Sequence, residues 1–224
     1  MYVGRVMHTD LVTVSPDTPL ATARNIIDEK KIDHLLVVDP SKGLVGLISD
    51  RDLKQTWSSP ATTLSTHELN YLLDKITVEM IMVKNLRTVS PNTTIEGAAR
   101  IMVENRIGSL PVIENDQLVG IITTTDVMSV LLEAIGIGTD SKRFIVLVED
   151  RIGYLAEITR IVKEQEINIR SVVSWPEKEH PGIFQLVMRV DADDSEKAIA
   201  ALREKGFQVF ADYIKDHGPY IKKI

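Results

Sequence analysis

The sequence predicts an α/β (α+β) protein in which one small unit occurs twice and a different unit follows. The segment Leu-Val-Thr-Val-Ser-Pro at 11–16 recurs as Leu-Arg-Thr-Val-Ser-Pro at 86–91. Each copy continues with the same order of β-prone runs and helical apolar spacing. A third pattern of strands and helices begins at Phe144 and matches neither copy. We therefore expect a module made of two repeats, followed by a separate domain.

The repeat stays in register through both copies. Ile26 and Leu35 of the first copy align with Ile101 and Leu110 of the second. One residue is lost in the turn between the two central strands, where polar residues and glycine tolerate a change of length. Each copy is predicted as strand, helix, strand, strand and helix, because a β-prone run precedes a helix-periodic segment and two apolar strands.

The third unit has four predicted strands with a helix after the first and another after the third. The strands are expected at 144–148, 169–174, 184–190 and 207–213. The order β-α-β-β-α-β is the split βαβ arrangement of ferredoxin-like domains.

The predicted boundaries follow from these patterns and from glycine-rich or polar stretches between them. They divide the chain into a first repeat at 1–55, a linker with a helix at 56–77 (the helix at 66–75), a second repeat at 78–135, a hinge at 136–142, a third domain at 143–215 and a tail at 216–224.

Composition argues against several classes of function. The chain has 224 residues, 44% of them apolar, yet no apolar run reaches the roughly 18 residues that a membrane span needs. The net charge is −6 and there is no basic stripe, which argues against nucleic acid as a partner. The sequence contains no cysteine and does not begin like an export signal, so a cytoplasmic protein is expected.

The sequence shows no catalytic constellation. Its five histidines are scattered singly, without the spacing of metal ligands. It has no nucleophile elbow, phosphate loop or zinc-protease motif. We therefore expect a protein that is not an enzyme, with no catalytic residues and no metal site.

Both copies close on the pattern Gly-x-x-Ser/Thr-x-x-Asp, at Gly46–Asp52 and Gly120–Asp126. A hydroxyl residue followed three positions later by an acid is typical of a capping box at the start of a helix. The same position also gathers backbone N–H donors that suit a phosphate group. The two interpretations are compatible, and the recurrence of the pattern favours a ligand site in each copy.

These motifs carry a resemblance to known families. Residues 6–53 and 78–127 resemble two CBS domains, the tandem unit called a Bateman module, through the Val-Ser-Pro segments, the central strands and the closing pattern. Residues 143–213 resemble an ACT domain, through 148–158 and the segment Ile-Asn-Ile-Arg at 167–170. Two CBS repeats followed by an ACT domain is similar to the arrangement of the AcuB family of acetoin utilization proteins.

The CBS resemblance implies a ligand that contains adenosine, bound in the cleft between the repeats. The expected ligands are AMP, ADP, ATP or S-adenosylmethionine, with no obligatory cofactor. In this family the aspartate accepts hydrogen bonds from the ribose, the hydroxyl residue lies near phosphate or ribose, and the first strand offers backbone groups to adenine. Carried over by motif position, the site residues are Thr13, Val14, His34, Ser49, Arg51 and Asp52 in one half, and Thr88, Val89, Ser109, Thr123, Thr124 and Asp126 in the other.

The two half-sites are expected to be unequal. His34 occupies a position where the family often has a basic contact to phosphate, whereas Ser109 at the equivalent position cannot supply a charge. In the third domain, the resemblance implies an amino-acid site near Asp150, Gly153 and Asn168. The alternative there is a turn in which Gly153 provides room at the start of a helix.

The sequence and the resemblance together predict a non-catalytic regulator. The CBS repeats would bind the adenosine compound, and the ACT domain would mediate dimerisation or sense a second small ligand. A homodimer, an unidentified enzyme partner and a role in acetoin catabolism are the expected context. Two alternatives remain open: an enzyme or enzyme subunit of acetoin metabolism, and a ligand-free scaffold in which both closing motifs are only helix caps.

Overall fold

The computed structural model describes residues 1–56, 75–138 and 140–221. The linker helix predicted at 66–75 lies outside the described residues, apart from Lys75. The chain divides into two compact units, Met1–Met128 and Ser129–Ile224.

The first repeat contains β1 (Thr13–Val14), α1 (Leu20–Lys30), β2 (His34–Asp39), β3 (Gly43–Ser49) and α2 (Asp50–Thr56). Strand β1 runs parallel to β2, and β2 is antiparallel to β3. The predicted order of elements is confirmed. Apolar side chains from the strands and from one face of each helix form the core of this repeat, which includes Leu20, Ala23, Ile27, Leu35, Val37, Ile48 and Leu53.

The second repeat contains α3 (Val78–Ile81), α4 (Ile95–Asn105), β4 (Ser109–Glu114), β5 (Gln117–Thr123) and α5 (Thr124–Ala134). Strands β4 and β5 are antiparallel. The first strand predicted for this copy is shorter than expected, because only one residue of it, Val89, forms a parallel bridge, to Val112 of β4.

The helices of the two repeats end in the same way. The residues after α1 and α4, Lys31 and Arg106, have φ of 52° and 54°, in the left-handed region that usually favours glycine. At the other end of α4, the side chain of Thr94 accepts a hydrogen bond from the backbone N–H of Gly97 at 3.1 Å. Local signals at both ends therefore set the length of α4.

Each repeat is completed by the N-terminal segment of the other repeat. The backbone of His8 exchanges two hydrogen bonds with Ile121 of β5, at 2.9 and 3.0 Å. Val83, which aligns with His8 in the repeat, exchanges two with Leu47 of β3, at 2.9 and 3.1 Å. The two repeats thus form one folded unit through reciprocal exchange.

Two glycines permit this close packing. A Cβ atom on Gly46 would lie 2.3 Å from Sδ of Met82, and one on Gly120 would lie 2.6 Å from Sδ of Met7. The absence of a side chain lets the exchanged segments lie directly on β3 and β5.

The C-terminal unit contains β6 (Ser141–Glu149), α6 (Tyr154–Glu164), β7 (Ile169–Pro176), β8 (Ile183–Asp191), α7 (Ser195–Glu204) and β9 (Gln208–Phe210). The sheet has the order β7-β8-β6-β9 and all its pairings are antiparallel. The predicted β-α-β-β-α-β order is confirmed. Alternate residues of β6 pack with the buried faces of both helices, in a core that includes Phe144, Val146, Val148, Ile158, Val162, Ala198 and Leu202.

The last strand is shorter than the sequence predicts. Strand β9 ends at Phe210, and Tyr213, which the alternating pattern placed in the strand, is 88% exposed. The chain then forms a final turn of helix, α8 (Gly218–Ile221). The ring of Tyr220 packs edge-on against Phe210, with centroids 4.8 Å apart, and this contact holds the tail against the domain.

Candidate functional site

The first closing motif forms a reciprocal capping box where β3 meets α2. The backbone N–H and the hydroxyl of Ser49 both donate to Oδ2 of Asp52, at 2.8 and 2.6 Å. The backbone N–H of Asp52 points back to Oγ of Ser49 at 3.3 Å. Both of the hydrogen bonds from Ser49 end on Oδ2, and the described residues include no hydrogen-bond donor to Oδ1 of Asp52.

The second closing motif repeats this geometry where β5 meets α5. The backbone N–H and hydroxyl of Thr123 donate to Oδ2 of Asp126 at 2.8 and 2.7 Å. Burial raises the pKa of Asp126, but the hydrogen bonds from Thr123 and His8 outweigh burial and bring its pKa below the ordinary value. Asp126 is therefore a carboxylate at neutral pH.

The helix starts are tied to the starts of the neighbouring strands. The backbone N–H of Asp50 donates to the carbonyl of Asp33, and that of Thr124 donates to the carbonyl of Gly108, both at 2.9 Å. A Cβ atom on Gly108 would lie 3.4 Å from Nε2 of His34. The strand starts of the two repeats therefore adjoin each other, with His34 between them.

His34 has a lowered pKa and a buried ring nitrogen. Burial lowers the pKa of His34, although the charges of Asp33 and Asp52 partly oppose this shift. Its Nδ1 is buried and has no hydrogen-bond partner among the described residues. At neutral pH the side chain is therefore mainly a neutral imidazole, which offers a hydrogen bond and not a fixed positive charge. Ser109, its equivalent, is 6% exposed.

The remaining predicted residues differ in exposure. Val14 and Val89 are buried, whereas Thr13, Thr88 and Arg51 are exposed. The backbone N–H of Val89 already donates to Pro111, and its carbonyl accepts from Ile113. The hydroxyl of Thr124 lies 3.3 Å from the carbonyl of Gly108.

Sequence reasoning missed one residue of the second half-site, His8. Its Nε2–H donates to Oδ1 of Asp126 at 2.9 Å, so the oxygen that is available in Asp52 is occupied in Asp126. The imidazole of His8 is 61% exposed, and the carboxylate is 18% exposed. The alignment of the two repeats places His8 opposite Val83 and so shows that the halves differ at this position. It does not show that His8 contacts Asp126.

In the C-terminal unit, no side-chain hydrogen bond or ion pair joins Asp150, Gly153 and Asn168 in the part of the chain that the structure describes. Asp150 donates its backbone N–H to the carbonyl of Gly182 at 2.8 Å. Gly153 has φ of +91° and is the N-cap just before α6, as the turn interpretation predicts, and Asn168 is exposed. A cavity of about 170 Å³ nearby is lined by Glu149 and Arg151 but by none of the three predicted residues.

A larger cavity of about 450 Å³ lies beside the C-terminal tail. Its wall includes Glu177, which accepts hydrogen bonds from Gln185 at 2.7 Å and from His217 at 3.0 Å. Burial raises the pKa of Glu177, but these two hydrogen bonds outweigh it, so its pKa lies below the ordinary value. Sequence reasoning did not find this cavity, because its wall comes from segments far apart in the chain.

Within residues 1–56, 75–138 and 140–221, no group of three or more His, Asp or Glu side chains is arranged to hold a metal ion. In the same residues, no helix has the length and apolar character needed to cross a membrane.

Comparison with known proteins agrees with this architecture. Residues 3–58 and 78–133 match the CBS domain, and residues 142–207 match the ACT domain. A CBS domain-containing protein from Dictyostelium discoideum is 30% identical over 134 residues, which cover 59% of this chain and 92% of that protein.

Two further relatives differ in what surrounds the repeats. A homoserine O-acetyltransferase from Methanohalobium evestigatum is 30% identical over 133 residues, 59% of this chain but 24% of that protein. The crystal structure of a candidate acetoin utilization protein (AcuB) from Vibrio cholerae aligns with a TM-score of 0.50 and 26% identity, covering 61% of this chain and 93% of that one. The two CBS matches span half of the chain, and it therefore belongs to the CBS domain family, with an ACT domain after its paired repeats.

Proposed function

We propose that this protein is a non-catalytic regulator whose paired CBS repeats bind an adenosine-containing ligand. One observation carries the proposal: the same capped carboxylate is built twice, by Ser49 with Asp52 and by Thr123 with Asp126. In each, Oδ2 of the aspartate is held by the backbone N–H and the hydroxyl of the motif. Oδ1 is the oxygen that would accept a hydrogen bond from a ribose hydroxyl, and in Asp126 it also accepts one from His8.

Side chains near the first motif suit the rest of a nucleotide better than the helix starts do. The backbone N–H groups of Asp50 and Thr124 already donate to Asp33 and Gly108. Those of Asp52 and Asp126 point back to Ser49 and Thr123. Arg51 is exposed at the start of α2 and can supply a positive charge. His34 has a buried nitrogen without a partner in the described structure, and a ligand atom at this position would satisfy it.

The regulatory step in this proposal is a shift between two arrangements of the repeats. A ligand favours one arrangement only by binding it more tightly than the other. The hinge at 136–142 would carry that preference to the ACT domain, which we propose forms a homodimer or senses a second small ligand. An enzyme of acetoin catabolism is the partner that the similarity to AcuB favours.

A thermal-shift panel with AMP, ADP, ATP and S-adenosylmethionine tests the proposal. A ligand at 100 times its dissociation constant adds about 2.7 kcal/mol to the stability of the native state, which is easily measured. The 2′-deoxy form of the compound that stabilises best is the control. The 2′-deoxy compound should stabilise the protein clearly less, because it lacks a hydroxyl that donates a hydrogen bond to the carboxylate. Equal shifts with both forms would contradict the assigned role of Asp52 and Asp126.

A ligand-free scaffold is the second candidate function, since both motifs do cap helices. In that case no compound in the panel shifts the melting temperature. Substituting Asp52 or Asp126 by Ala then costs only the stability of a helix cap, about 1 kcal/mol each. An enzyme of acetoin metabolism is the third, and turnover that survives both substitutions would favour it.

A further inference from the structure

The two half-sites differ in a contact that comes from the exchanged N-terminal segment. His8 donates through Nε2 to Oδ1 of Asp126 at 2.9 Å. The residue at the equivalent position of the other half is Val83, which is 46% exposed and has no hydrogen-bonding side chain. The backbone pairing of the two segments is equivalent, because His8 pairs with Ile121 just as Val83 pairs with Leu47.

The contact involves the carboxylate oxygen that a ligand needs. Oδ2 of Asp126 already accepts two hydrogen bonds from Thr123, at 2.8 and 2.7 Å. Oδ1 is the oxygen left for a ribose hydroxyl, and His8 donates to it. A ligand at this half-site must therefore displace the imidazole, whereas a ligand at Asp52 meets no such competitor among the described residues.

The exposure of the two partners makes displacement feasible. The imidazole of His8 is 61% exposed, so it can swing into solvent without leaving a buried polar group unsatisfied. The backbone of His8 stays fixed by its two hydrogen bonds to Ile121. The side chain can thus open and close while the exchanged segment remains in place.

We propose that His8 is a gate on the Asp126 half-site. It makes that half bind an adenosine ligand more weakly than it would if a valine stood there. The inference rests on the proposed function, since it concerns the affinity of one of the same two half-sites. His8 thereby sets the ligand concentration at which the Asp126 half-site fills.

The repeat itself supplies the matched variants. His8→Val gives the second half the residue of the first, and Val83→His does the reverse. Both positions lie on the surface, and the backbone pairing with Ile121 or Leu47 does not depend on their side chains. Unchanged circular dichroism and melting temperatures would show that the variants keep the fold.

Site-resolved titration by NMR tests the gate, with AMP and separately S-adenosylmethionine as probes. The backbone amide of Ser49 reports on Asp52, and that of Thr123 reports on Asp126, because each donates directly to that carboxylate. His8→Val should lower the ligand concentration at the midpoint of the Thr123 titration about 3- to 10-fold, the effect of one competing hydrogen bond. Val83→His should raise the midpoint at Ser49 by a similar factor. Each change should leave the other half's midpoint nearly unaltered.

Three results would overturn the gate. If neither midpoint moves in the variants, His8 has no influence on the site. If His8→Val weakens binding at Thr123, the imidazole contacts the ligand instead of competing with it. If neither probe binds the wild type or either variant, the proposed adenosine site fails, and the gate fails with it.

Discussion

The packing of Met82 on Gly46 predicts a strong response to a single methyl group. In Gly46→Ala, the new Cβ would lie 2.3 Å from Sδ and 2.8 Å from Cγ of Met82, well inside van der Waals contact. Overpacking of this kind costs about 1–3 kcal/mol. Replacing glycine in a strand recovers about 0.5–1 kcal/mol of backbone entropy. The midpoints of the two ranges give a net loss of roughly 1 kcal/mol in the free energy of unfolding, and the closeness of Met82 Cγ as well as Sδ favours the upper half of the cost.

The assay combines urea unfolding with native-state hydrogen exchange. The backbone N–H of Leu47 donates to the carbonyl of Val83 beside the position where the new Cβ would meet Met82. This N–H should lose protection against hydrogen exchange in Gly46→Ala. The N–H of Ile121, in the equivalent bridge to His8, is an internal control and should change less. Adding Met82→Ala should relieve the clash, so the double variant should be more stable than the sum of the single effects.

Two outcomes would refute this reasoning. Gly46→Ala could prove neutral or stabilising, with Leu47 still protected, which would mean that Met82 moves aside at no cost. Alternatively, Leu47 and Ile121 could lose protection equally. The substitution would then act on the whole unit and not on the exchanged segment.

Three further predictions concern other parts of the chain. Burial lowers the pKa of His34 below its ordinary value of 6.5, so the unfolded chain binds a proton at this residue more readily than the folded chain does. The contribution of His34 to stability should therefore be complete above about pH 6.5 and should be lost as the pH falls below it. Calorimetry should show a flatter dependence of the melting temperature on pH for His34→Gln. Lys31→Gly and Arg106→Gly should each stabilise by up to about 1 kcal/mol in urea melts, since both residues have positive φ; a loss of stability would contradict this. His217→Ala removes a hydrogen bond to the ionised Glu177 and should destabilise the C-terminal unit by about 1.5–3 kcal/mol in calorimetry, whereas an unchanged transition would show that the tail contributes nothing.

Local sequence signals predicted most of the fold. Apolar periodicity identified the helices and strands of both units, because burying one face is what stabilises such elements. The capping boxes at Asp52 and Asp126 were also visible, since hydroxyl and acid lie only three positions apart. In the last strand the alternation ran on to Tyr213 although the strand ends at Phe210, because alternation alone does not reveal where pairing with β6 stops.

Contacts between distant parts of the chain were not predictable in this way. His8 and Asp126 are 118 positions apart, and no local pattern says that a segment packs on the other repeat. The same holds for Glu177 and His217, which are 40 positions apart. Fold class and motif positions thus follow from periodicity and spacing, while the inequality of the two half-sites depends on tertiary packing.

Calorimetric titration of AMP, ADP, ATP and S-adenosylmethionine into wild type and Asp52→Asn/Asp126→Asn tests whether the two carboxylates bind the ligand. The amide oxygen of asparagine can still accept the backbone hydrogen bonds from Ser49 and Thr123, so the variant should keep its fold while losing both carboxylates. We expect one of these compounds to bind the wild type and to bind the double variant at least about tenfold more weakly, the loss of about 1.4 kcal/mol expected for a hydrogen bond to a charged group. Equal binding to both proteins, or no binding to either, would contradict it.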